Sequence, residues 1–211
     1  MKQLFFLSGL GADRRVFDFL NLPGHQVNHV VWVEPATGES ITEYARRLLP
    51  QIHGDNPVLI GLSFGGMIAL EIASLIKVNM VILISSAKSP DAIPGYFKLI
   101  ARFNIQKVIR PKPIRTPNAM IFWLFGVTKK EHKGLLSAIM TDTDETFFEW
   151  AIGSIMSWKG NTPRCKIIQI HGTRDRVLSF MSADYVVPRA GHLMIVTNAD
   201  EISRILQTLL K

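Results

Sequence analysis

The sequence predicts an α/β fold: a doubly wound, mostly parallel sheet of about six strands with a helical cap inserted into it. Three observations predict this. Short β-branched or apolar runs alternate with stretches of helical period, the pattern of a parallel sheet covered on both faces. One stretch of about seventy residues, 89–160, carries helical but no strand-like periodicity. The composition, 47% hydrophobic and 19% charged over 211 residues, is that of a globular chain long enough to bury a sizeable core.

The first strand is placed at residues 3–7, where Leu4-Phe5-Phe6-Leu7 is apolar. That run is at the lower length limit for a signal peptide and lacks a small-x-small cleavage site, so it reads as a strand. Further strands are expected at 27–33, 58–60, 80–84, 166–170 and 184–187. Helices fall between them. The first spans 40–52, with Ser40 as N-cap and Glu43 three residues on completing a capping box. Others are expected at 64–76 and 199–210, which completes a doubly wound pattern.

The domain division follows: residues 1–88 and 161–211 form the core, and 89–160 the cap. The cap is punctuated by Pro90, Pro94, Pro111, Pro113 and Pro117 and then turns aromatic, with Phe122, Trp123, Phe125, Phe147, Phe148, Trp150 and Trp158. Such helices suit a lid over a pocket, which makes Trp123 and Phe122 candidate substrate-binding residues. Each aromatic is equally well read as packing the cap onto the sheet.

Charge is uneven. Of the formal +7, residues 88–133 hold ten basic side chains (Lys88, Lys98, Arg102, Lys107, Arg110, Lys112, Arg115, Lys129, Lys130, Lys133) against Asp91 and Glu131. A basic face attracts anions, but no zinc finger, RNA-binding aromatic signature or basic helical repeat accompanies it, so nucleic acid is not expected as a partner. Cys165 is the single cysteine, which rules out an intramolecular disulfide and a cysteine-based zinc site. No run approaches the ~20 apolar residues of a membrane span. The expected location is the cytoplasm.

The sharpest signal is Gly61-Leu62-Ser63-Phe64-Gly65-Gly66, between an apolar strand and a helix. A serine at such a turn projects its hydroxyl from the sheet edge, and small flanking residues let strand and helix approach. A serine hydroxyl is a poor nucleophile until a base takes its proton, so a histidine oriented by a carboxylate must follow. Asp175, in His171-Gly172-Thr173-Arg174-Asp175, leaves the fifth strand; His192, in Arg189-Ala190-Gly191-His192, leaves the last. Both stand at carboxyl ends of strands, where open α/β sheets keep their sites. His171 precedes the acid and reads as structural. The remaining histidines, His25, His29, His53 and His132, have no carboxylate or histidine at ligand spacing, so a metal site is not supported, and a serine nucleophile with its own base needs no cofactor. The oxyanion of a tetrahedral intermediate needs two donors. Expected are the backbone N–H of Phe64 and, from the loop Ser8-Gly9-Leu10-Gly11, that of Leu10.

These motifs resemble the α/β-hydrolase superfamily, specifically its small lidded members, along nearly the whole chain. Ser8–Gly11 is similar to the family's oxyanion loop, Gly61–Gly66 to its nucleophile elbow, Gly172–Val177 to its acid loop and Gly191–His192 to its histidine loop. The resemblance implies the fold and the order Ser63, Asp175, His192, but no particular substrate. Three departures stand out. Ser8 occupies a place where the family commonly has histidine; the chain starts at what resembles the family's third strand, which implies no antiparallel edge hairpin; and only sixteen residues separate Asp175 from His192, which shortens the crossover to about a turn.

The expected activity is hydrolysis of a small ester or thioester through an acyl-enzyme on Ser63. C–C bond hydrolysis, lyase or cofactor-free peroxidase chemistry, and a non-catalytic small-molecule-binding or signalling role, stay open as alternatives, because fold alone does not settle function.

Overall fold

The computed structural model describes residues 2–95, 117–178 and 180–211. Pro111, Pro113 and six of the cap's basic residues (Lys98, Arg102, Lys107, Arg110, Lys112, Arg115) lie outside them. Six strands form one sheet: β1 Gln3–Leu7, β2 Gln26–His29, β3 Val58–Leu62, β4 Met80–Ile84, β5 Lys166–Gly172 and β6 Tyr185–Val187. Their order is β2-β1-β3-β4-β5-β6, and every pairing is parallel.

Alternation along the strands divides the apolar side chains between two cores. Leu4, Phe6, Ile60, Ile82 and Ile84 enter one face, and Phe5, Leu7, Leu59, Val81 and Leu83 the other. Each such fully buried Leu, Ile or Phe stabilises by roughly 1.5–3 kcal/mol relative to exposure. On the second face lie α1 (Ile41–Leu48) and α2 (Phe64–Leu75). The Ser40–Glu43 capping box is formed, satisfying amide donors at the start of α1. Pro50 offers no N–H, and the chain tightens there into a 3₁₀ turn, so the α-helix stops at Leu48 rather than at 52. On the first face α6 (Met194–Thr197) and α7 (Ala199–Leu209) cover the sheet.

Two strands are shorter than the sequence predicts, because side chains replace their ladder partners. Beyond His29 the Val31 amide donates to Gln51 Oε1 (2.8 Å), and Gln51 Nε2 donates back to the Val31 carbonyl (2.9 Å). The buried Tyr44 hydroxyl does the same for Val33. At β6 the Asp184 carboxylate accepts the Gln169 amide at 2.8 Å, and pairing begins one residue later. Only twelve residues separate Gly172 from Tyr185, the minimum for a parallel return.

Among the described residues, three α-helices lie between β4 and β5: α3 Ala119–Phe125, α4 Lys130–Asp142 and α5 Glu145–Ser157. Buried Glu71 of α2 ties their far end to the core, accepting from Trp158 Nε1 (2.9 Å), Asn161 Nδ2 (3.0 Å) and Thr42 Oγ1 (2.8 Å). At the near end Gly126, with φ 72°, lets α3 finish directly against Gly191, and the Leu193 amide donates to the Phe125 carbonyl at 3.0 Å. No helix among the described residues is long and apolar enough to cross a membrane.

Candidate active site

Ser63 sits between β3 and α2 with φ 50° and ψ −119°, a conformation that costs a non-glycine residue on the order of 1–3 kcal/mol. Neighbouring bonds hold it there. Its amide donates to the Ile84 carbonyl (3.0 Å), and its own carbonyl accepts the Ser86 hydroxyl (2.6 Å). Gly65 must lack a side chain, because a Cβ would collide with the carbonyl oxygens of Leu7 and Ser8 where α2 crosses the end of β1.

The ends of β3, β5 and β6 bring three predicted residues together. Ser63 Oγ lies 3.0 Å from His192 Nε2, and His192 Nδ1 lies 2.7 Å from Asp175 Oδ2. Asp175 and His192 are 7% and 3% exposed, so little water competes for these bonds. The other carboxylate oxygen, Oδ1, accepts the amides of Val177 and Leu178, both at 2.9 Å. Burial alone drives the Asp175 carboxyl up; the His192 charge beside it and hydrogen bonds from His171 and His192 outweigh this and hold it well below the usual carboxylate range. The carboxylate therefore stays ionised at neutral pH and orients His192 so that its Nδ1 carries hydrogen and its Nε2 faces the serine.

Of the two expected backbone donors, Phe64 opens α2, where an amide has no intrahelical acceptor. Leu10 belongs to a loop packed against the serine, as close as 3.2 Å between a Cβ built on Gly9 and the Ser63 Cβ. That loop and Ser63 border a cavity of about 400 Å³. Its far wall is apolar and comes from α3, α4 and α5, with Ile121, Leu124, Phe125, Met140, Phe148 and Ile152 among the lining side chains. Among the described residues, Ser63 and His192 are the only polar side chains that line the cavity.

Trp123 and Phe122 are not in it. Helical period turns Ile121, Leu124 and Phe125 inward, which leaves 122 and 123 on the other side of α3. Trp123 is 58% exposed and is covered by the Arg176 guanidinium, 4.4 Å from the ring centroid; Lys133 stands over Phe122 at 5.4 Å. Two contacts went unanticipated: Ser86 on the Ser63 carbonyl and His171 beside Asp175, where His171 Nε2 lies 3.2 Å from Oδ2. Only the spacing of four between His171 and Asp175 hinted at the second. Among the described residues no group of three or more His, Cys, Asp or Glu is arranged to hold a metal ion.

Residues 3–205 match the profile of the Alpha/beta hydrolase family. Comparison with curated protein sequences finds no match. Among solved structures, a carboxylesterase study of the thaumarchaeon Nitrososphaera gargenis supplies a similar chain, with TM-score 0.73, 18% identity, and coverage of 99% of this chain and 89% of that one. The enol-lactonase from Burkholderia xenovorans superposes with TM-score 0.71 at 15% identity, covering 99% and 91%. A bromoperoxidase from Bacillus anthracis gives 0.69 at 14%, also covering 99% and 91%. At such identities the likeness is one of fold.

Proposed function

The chain belongs to the alpha/beta hydrolase family, and from that premise we propose that it is a serine hydrolase cleaving a small ester or thioester of an apolar, short to medium acyl group. The observation that carries this reading is the cavity, whose described lining is apolar except where Ser63 and His192 meet at 3.0 Å. An acyl chain fills such a wall without leaving polar groups unpaired, and its carbonyl then lies at the one place equipped to attack it. The helices 119–157 act as a cap in this reading, enclosing the acyl group and excluding water.

His192 Nε2 takes the Ser63 proton as Oγ attacks the carbonyl carbon, and the imidazolium is stabilised by ionised Asp175. The Phe64 and Leu10 amides serve as donors to the developing oxyanion. Collapse expels the alcohol or thiol, which leaves with the proton from His192. Water, deprotonated by the same nitrogen, then attacks the acyl-serine; the acid is released and the proton returns to Ser63 Oγ.

Intact mass after treatment with a fluorophosphonate tests the reading. One adduct is expected on the wild-type chain and none on Ser63→Ala, together with a loss of roughly 10⁴-fold or more in ester hydrolysis for the variant. Full esterase activity in Ser63→Ala would overturn it.

A further inference from the structure

His171 ends in no role in the reaction as described, yet it is 3% exposed and directly beside the acid. Its Nε2 lies 2.8 Å from the Leu178 carbonyl and 3.2 Å from Asp175 Oδ2. Both neighbours only accept when the carboxylate is ionised, so the hydrogen of His171 is on Nε2. Its Nδ1 is buried with no hydrogen-bond partner among the described residues, so the polar contacts seen for the ring are concentrated at Nε2.

The two acceptors belong to a single device. Leu178 gives its amide to Asp175 Oδ1 and its carbonyl to His171, so the turn 175–178 is closed around the carboxylate from both sides. Oδ2 receives His192 Nδ1 at 2.7 Å with His171 alongside at 3.2 Å, while Oδ1 receives the amides of Val177 and Leu178. Three donors thus hold the carboxylate, and His171 Nε2, bonded to the Leu178 carbonyl, closes the fourth side at 3.2 Å. The acid rides on a turn beyond the end of β5 rather than on the strand, so these contacts set the direction of its side chain.

We propose that His171 is a positioning residue for the hydrolase reaction, locking the Asp175 carboxylate and the turn 175–178 that carries it in the geometry His192 requires. The inference rests on the serine-hydrolase reading. It assigns His171 no proton transfer and no contact with substrate, since the serine side of His192 is where the reacting atoms lie.

Two variants test it. His171→Leu keeps an apolar side chain of similar reach but removes the donor; His171→Gln restores an N–H donor close to the position of Nε2. Steady-state hydrolysis of a p-nitrophenyl ester should show kcat lowered about tenfold in His171→Leu, the scale of one hydrogen bond of ~1.4 kcal/mol. KM should be unchanged, and His171→Gln should recover most of the loss. The rate of fluorophosphonate labelling at Ser63 should fall and recover in parallel. Wild-type kcat in His171→Leu would overturn the proposal, as would equal impairment of both variants, which marks the ring as packing alone. Absence of an adduct on the wild-type chain would instead overturn the hydrolase reading, and the proposal with it.

Discussion

On the sheet side of the cavity each of three side chains is held by the backbone: Ser63 by a turn with φ 50°, His192 by a loop pressed against Gly126, Asp175 by two amides. On the helical side, Ile121, Leu124, Met140 and Phe148 are held by packing, with no hydrogen bond to fix any of these side chains in direction. The difference separates two kinds of tolerance. Directional bonds at 2.7–3.0 Å fail when an atom type changes. An apolar wall accepts another apolar residue and changes the shape of what it holds. In the proposed hydrolysis, reactivity then belongs to the rim and selectivity to the wall.

The largest effect expected from breaking this division is at Asp175. Asp175→Asn leaves the volume unchanged but offers His192 the wrong partner, and kcat/KM should drop by roughly 10³–10⁴-fold in an ester assay. The same variant reports on stability. A carboxyl held below its unfolded value of ~3.9 contributes stability that is complete above that pH and is lost as pH falls toward the folded value. The melting-temperature gap between wild type and Asp175→Asn should therefore be widest near neutrality and narrow below about pH 4. A gap constant down to pH 2.5 would contradict it.

A wall substitution should act more mildly and selectively. Leu124→Trp adds bulk inside the cavity, so hydrolysis of the longest accepted acyl ester should fall on the order of 10–100-fold relative to acetyl ester, read from kcat/KM across a chain-length series. Uniform loss across the series would place Leu124 in the reactive machinery instead. The smallest effect belongs to Trp123→Ala, on the outer side of the same helix: kcat/KM should stay within about twofold for every ester, consistent with a surface change of ~0.5 kcal/mol or less.

Adjacent residues of α3 also mark where sequence reasoning stops. The strand-turn-helix at Gly61–Gly66 and the loops carrying Asp175 and His192 were legible because turns at strand ends demand particular residue types, and a sheet of this kind puts strand ends together. Within 119–125 nearly every residue is apolar, so hydropathy could not tell Trp123 from Leu124; only the rotation of the helix about its axis, set by its packing, decides which faces the cavity. The end of β2 was hidden for another reason. Residues 31–33 have strand composition, but Gln51 and Tyr44 intercept their backbone groups from elsewhere in the chain. His171 reads as structural from its place ahead of the acid, and its contact with the Leu178 carbonyl has no periodicity to announce it.

The β4–β5 pairing bears on how the protein is made. Met80–Ile84 forms a fully apolar strand whose later neighbour begins at Lys166, 82 residues after Ile84. During translation at ~5–20 residues per second, that edge waits on the order of 4–16 s after leaving the ribosome before its partner exists. Through that interval it is an open template for any other extended chain. The insertion that lines the cavity thus also sets a period in which the nascent chain is vulnerable to aggregation and suited to holdase chaperones.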